Sequence, residues 1–140
     1  MKAQKKTRVT SAAGGAIGID IVEIKRLEKT SKRWGKAFLR KVYTDRELAY
    51  AMNRRFPFQH LAARFAAKEA IFKALGEVET NFVGWKNIEI LNDANGKPAV
   101  FWHADAEKTR VKRGIKMAVV SLSHSDHYAV ASAMLIFRRF

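Results

Sequence analysis

The residues of this sequence best placed for chemistry are Lys68, Glu69 and Lys73 in one helix-like stretch and a single aspartate, Asp20, far upstream. On a wheel of 100° per residue centred on Leu61, Phe65, Phe72 and Leu75 fall within about 40° and define a buried arc. Lys68 then lies at about −20°, Arg64 at about −60°, Glu69 at about +80° and Lys73 at about +120°. A core-facing helix holds a lysine in that arc only if the side chain snorkels or meets an anion. Taken alone, the stretch has two readings. In one, Lys68 snorkels and Glu69 pairs with Lys73 at i,i+4 for about 0.3–0.5 kcal/mol; in the other, the charges form a phosphate and metal site.

Asp20 adds weight to the second reading. Ile17, Ile19 and Ile21 alternate with Gly18, Asp20 and Val22, the period of a strand, so Asp20 points away from the isoleucine face. The strand reads as largely buried, and a buried carboxylate costs several kcal/mol unless it is paired or holds a metal. Asp20 is therefore expected to meet either a nearby Lys or Arg, or a cation.

The elements that must position these groups follow from periodicity and turn chemistry. A strand is expected over 18–24. Ile24, Leu27, Ser31, Trp34 and Phe38 then form an apolar stripe, opposite Lys25, Arg26, Lys29, Lys32, Arg33 and Lys36, which predicts a basic amphipathic helix or pair of helical segments. Thr44 and Glu47 have capping-box spacing ahead of a short helix that ends before Pro57. Residues 59–75, rich in Ala, Leu, Lys, Glu and Phe, predict a helix stopped by Gly76. Asn95-Gly96 predicts a hairpin between strands at 85–91 and 98–102. A helical segment over 105–113 closed by Gly114, and strands over 116–123 and 128–137, complete an α+β order.

The 140 residues suffice for one core, and so for one site. Residues 1–15, with four basic residues and a Gly pair, read as a basic flexible arm, leaving 16–140 as the single domain. No apolar run reaches the roughly 20 residues that cross a bilayer, and the N-terminal residues show no signal-peptide core, so a cytoplasmic enzyme is expected rather than a membrane or secreted one. The absence of cysteine excludes disulfides, thiolate nucleophiles and iron–sulfur clusters, so any metal must be held by oxygen or histidine.

The net charge is +14, and residues 23–55 carry eleven basic against four acidic side chains. A polyanionic partner is expected on that third of the chain. A pI near 10.4 also admits a basic nucleic-acid-binding module, but that alternative gives Asp20 and Glu69 no role and lacks a readout motif. Ser123, His124 and Asp126 lie too close in sequence for a hydrolase triad, and no Gly-x-Ser-x-Gly elbow accompanies them. Gly14, Gly15 and Gly18 lack the preceding strand and following Lys-Ser/Thr of a phosphate loop.

Gly18-Ile19-Asp20-Ile21 with Glu23, Lys25 and Arg26, paired with Arg64-Phe65-Ala66-Ala67-Lys68-Glu69-Ala70 running on to Gly76, resembles the signature of the 4′-phosphopantetheinyl transferases. Asn95-Gly96-Lys97-Pro98 and the stretch from Ser121 to Asp126 extend the likeness over about residues 16–137, to the short holo-[acyl-carrier-protein] synthase type. The basic arm and longer segments around 80–85 and 105–116 depart from the pattern without touching the motif positions.

The resemblance implies a curved antiparallel β-sheet with a long helix and shorter helices, assembled as a homotrimer with coenzyme A sites between subunits. It implies transfer of 4′-phosphopantetheine from coenzyme A to a serine of apo acyl carrier protein, in support of fatty acid biosynthesis. Asp20 and Glu69 become the ligands of Mg²⁺ or Mn²⁺, which needs only one or two carboxylates besides phosphate and water. Asp20, Glu69 and Lys73 are the catalytic set, with Glu69 or a water on the ion as proton acceptor. Arg64, Lys68, Lys73, Ser123 and His124 are the expected coenzyme A contacts, the last two at its nucleotide end. Arg26, Lys29 and Arg33 form the expected docking face for an acidic acyl carrier protein. Nucleic acid and membrane are not expected partners.

Overall fold

The computed structural model describes residues 14–76 and 84–139. Within them the order is β1 (Gly15–Glu23), α1 (Ile24–Val42), α2 (Asp45–Met52), α3 (Pro57–Leu75), a single 3-10 turn (Trp85–Asn87), β2 (Ile88–Asn92), β3 (Pro98–Trp102), α4 (Ala104–Lys112), β4 (Ile115–His124) and β5 (Tyr128–Phe137). This is the expected α+β class, with two antiparallel sheets: β1-β5-β4, and the hairpin β2-β3.

Most local expectations hold. Thr44 and Glu47 form the reciprocal capping box at the start of α2. Pro57 occupies the first turn of α3, where a missing N–H costs nothing, and Gly76 ends the helix at φ 94°. The hairpin turn spans the five residues 93–97, in which the Asp93 carboxylate accepts the amides of Asn95 and Lys97 at 2.8 and 3.0 Å. Residues 85–87 are a turn and not strand. The expected arm lies outside the described residues up to position 13; Gly15 already belongs to β1, and the Gly14 carbonyl accepts the amide of Phe137.

Two expectations about burial are corrected. α3 has no one-sided stripe: besides Leu61, Lys68 and Leu75 on one face, Ala62, Ala66, Ala70 and Ala74 on the others are buried too, because the sheet covers one flank and α1, α2 and β2 the other. And β1 is not buried on both faces. Gly18, Asp20 and Val22 turn toward α3, whereas Ile17, Ile19 and Ile21 are 74%, 61% and 64% exposed. Register places Ile17 beside Met134 and Met134 beside Val119, so the apolar row continues across the outer face of the sheet.

Small residues set the helix-to-sheet distance. Ala66, Ala67, Ala70 and Ala74 of α3 join Ala131 and Ala133 of β5 in one buried cluster. A Cβ built on Gly18 would stand 1.8 Å from the Ala70 carbonyl oxygen, so only glycine permits α3 to lie this close to β1. α1 is broken at Gly35, which takes φ 69°. Its first half keeps Ile24 and Leu27 buried, but Trp34, expected on the apolar stripe, is exposed, with the Arg33 guanidinium 5.2 Å from its ring centroid.

Candidate active site

The close approach at Gly18 carries the next core-facing residue of β1, Asp20, to the flank of α3 where Glu69 and Lys73 emerge one turn apart. The Lys73 ammonium donates to Asp20 Oδ1 at 3.0 Å and to the Ile19 carbonyl at 3.0 Å. Lys73 thus turns to the strand rather than to Glu69, which answers the sequence-level choice of partner for Asp20. Burial raises the Glu69 carboxyl above the ordinary glutamate range; the Asp20 charge adds to this, and Lys73 pulls the other way. Asp20, Glu69 and Arg26 line one open cleft of about 560 Å³, with Thr30, Phe38 and Phe65. Sequence reasoning missed those last three.

Two carboxylates converging from facing elements repel each other, and a divalent cation relieves that repulsion. Among the described residues no group of three or more His, Asp or Glu is placed to hold a metal. The pair nevertheless fits Mg²⁺, which takes one or two carboxylates and completes its shell with phosphate oxygens and water. The residues present therefore suit the expected ion, with Lys73 as a third charge beside it.

Lys68 corrects the expected set of phosphate contacts. It neither snorkels nor reaches a cleft: its ammonium donates to Glu47 Oε1 at 2.7 Å and to the carbonyls of Trp85 and Ile88 at 2.9 and 2.7 Å, with no exposed side-chain surface. Three acceptors use its three protons. Glu47 also accepts the amides of Thr44 and Ile90, tying α2, α3 and β2 together.

Arg64 and His124 lie elsewhere, in a second cleft of about 500 Å³ shared with Tyr50, His60, Asn92 and Lys97. The Arg64 guanidinium sits 4.2 Å from the Tyr50 ring centroid and donates to the Ile90 carbonyl at 3.2 Å and to Asn92 Oδ1 at 3.4 Å. Ser123, paired with Val130, is not among the residues that line this cleft, whereas its neighbours Ser121, Leu122 and His124 are. His60 was missed, though its i−4 spacing from Arg64 puts both on one side of α3. Within one chain, the Asp20 cleft opens at the β1 edge and the His124 cleft at the β4 edge, with β5 between them. Arg26, Lys29 and Arg33 are exposed on the first half of α1, and Arg26 reaches the rim of the Asp20 cleft.

Residues 16–133 match the model of the 4'-phosphopantetheinyl transferase superfamily. The holo-[acyl-carrier-protein] synthase of Protochlamydia amoebophila is 46% identical over 118 residues, 84% of this chain and 94% of that protein. Among solved structures, the holo-[acyl-carrier-protein] synthase of Neisseria meningitidis superposes with a TM-score of 0.79 at 36% identity, over 86% of this chain and 96% of that one. That of Bacillus anthracis, in complex with CoA (3',5'-ADP), gives 0.73 at 32% identity, over 90% and 100%. With its paired motifs brought together across β1 and α3, this chain belongs to the 4′-phosphopantetheinyl transferase superfamily.

Proposed function

We propose that this protein moves the 4′-phosphopantetheine arm of coenzyme A onto a serine of an apo acyl carrier protein, giving the holo form and 3′,5′-ADP. The observation that carries the reading is the meeting of Asp20 and Glu69 at one cleft, with the Lys73 ammonium bonded to Asp20 beside it. The serine oxygen bonds to the β-phosphorus, the bond from that phosphorus to the bridging oxygen breaks, and 3′,5′-ADP leaves with the electron pair. Lys73 holds an ammonium where that charge collects, a position in which a fixed donor lowers the barrier more than it aids binding. Glu69 is the carboxylate this chain offers as acceptor for the serine proton, a water on the bound ion being the alternative. Asp20 and Glu69 would hold Mg²⁺ or Mn²⁺, which when bound supplies charge neutralisation at the diphosphate.

Arg26, Lys29 and Arg33 beside this cleft fit an acidic carrier protein. Asp20 and His124 belong to clefts at opposite edges of the sheet, which supports a homotrimer with sites shared between copies, and the exposed Ile17, Ile19 and Ile21 row is a surface such copies would cover. Holo carrier protein serves fatty acid biosynthesis in the cytoplasm, and no described helix is long and apolar enough to cross a membrane.

Mass spectrometry of apo acyl carrier protein incubated with this chain, coenzyme A and Mg²⁺ tests the reading: the carrier gains one phosphopantetheine. Asp20→Ala, Glu69→Gln or chelation abolishes the gain while the fold persists. No gain with the unmodified chain, or near-normal turnover by either variant at low Mg²⁺, overturns it. Light scattering checks assembly, with roughly three times the 15.9 kDa chain mass expected.

A further inference from the structure

The cleft at the β4 edge holds a second imidazole that the proposed reaction leaves without a role. His60, one turn before Arg64 on α3, meets His124 of β4 edge-on, with ring centroids 6.2 Å apart and planes at 64°. The Tyr50 ring, 5.7 Å away at 84°, fixes the other side of His60. Among the described residues neither imidazole is hydrogen-bonded to a protein group, so their ring nitrogens remain available to a ligand.

The charges around this pair have one sign. α3 contributes His60 and Arg64, the turn after α2 contributes Arg54, the hairpin turn contributes Lys97, and β4 contributes His124; Tyr50 and Asn92 are neutral. The nearby carboxylates are already engaged: Glu47 holds Lys68, and Asp93 accepts amides of its own turn. Burial comes first, and with Arg64, His124 and Arg54 it keeps His60 below the ordinary histidine range. A ligand carrying two negative charges reverses that field for both rings.

We propose that His60 and His124 together form a clamp for a phosphomonoester, the two imidazoles offering N–H donors to the dianion as it seats against Arg64. The inference rests on placing the nucleotide end of coenzyme A in this cleft, and deepens that placement by adding a binding residue and a pH dependence. A protonated imidazole offers N–H donors from both ring nitrogens to phosphate oxygens. Affinity therefore rises as pH falls through the histidine range.

The test is a proton NMR titration of the imidazoles of His60, His103, His124 and His127 in the unmodified protein, free and with adenosine 3′,5′-bisphosphate, using His60→Gln and His124→Gln for assignment. The expected result is an upward move of about one pH unit or more for His60 and His124, with His103 and His127 unmoved. Unmodified protein then binds about tenfold more tightly at pH 6 than at pH 8, beyond any change seen with His60→Gln, which cancels the ligand's own ionisation. If the bisphosphate shifts His124 and leaves His60 unmoved, the clamp is overturned while the nucleotide site stands. If it moves neither ring, both fall.

Discussion

Lys68 and Glu47 form an ion pair whose side chains have no exposed surface, with 2.7 Å between Nζ and Oε1. Removing one member of such a pair leaves a buried charge uncompensated, at a cost of about 3–5 kcal/mol. Lys68→Met should lower stability in urea by that order, and Glu47→Gln in addition should restore only part, since Glu47 also accepts two backbone amides. Folded Lys68→Met should keep its KM for coenzyme A. A large rise in that KM, with stability unchanged, would return Lys68 to the phosphates.

Gly18→Ala puts a methyl group against the Ala70 carbonyl oxygen. Overpacking of this kind costs about 1–3 kcal/mol and shifts the backbone. Because Asp20 lies two residues on, the same shift should lower kcat at temperatures where the variant remains folded. Thermal denaturation and turnover measured side by side check the two effects.

Burial alone would push the Glu89 carboxyl upward, but hydrogen bonds from Thr44 and His103, with the charge of Arg46, hold it below the ordinary glutamate range. A carboxyl depressed in the folded state adds stability above its unfolded pKa of about 4.3, and that stability is lost as pH falls through the folded value. Glu89→Gln should therefore lose stability at pH 7 and show a shallower fall below pH 4 than the unmodified chain. Urea midpoints from pH 7 to pH 3 measure this, and parallel curves would contradict it.

Reversing charge at Arg26 tests the docking face. Opposed fields speed encounter and weaken as salt shortens the Debye length to about 8 Å near physiological strength. Arg26→Glu should raise KM for the carrier protein severalfold, flatten its salt dependence and leave coenzyme A affinity nearly unchanged. Equal losses for both substrates would place Arg26 at the nucleotide.

The sequence made the main elements legible because their signals are local: alternation in β1, the Thr44 and Glu47 cap, glycine after α3. Asp20, Glu69 and Lys73 were legible as a group only through the spacing of two motifs, and the structure adds that Lys73 reaches Asp20. What stayed hidden depends on contacts distant along the chain. Lys68 announced itself as a charge in a buried arc, but its partner had already been assigned to a cap, and one carboxylate serves both purposes. The β1 isoleucines look like core by composition; which face of a strand meets its helix is decided by Gly18 and Ala70, and no periodicity reports that. His60 gave only a lone histidine near an arginine until β4 brought His124 beside it.

The obstacle that a side chain at position 18 meets is main chain. No substitution along α3 can remove a carbonyl oxygen, so a damaged variant at this position has no simple partner mutation to rescue it. Selection for restored activity from Gly18→Ala should accordingly return glycine at position 18 itself, rather than compensating changes in the helix. The strand and helix are inherited as one unit, and a graft of either motif into another scaffold would fail to carry the chemistry without the other.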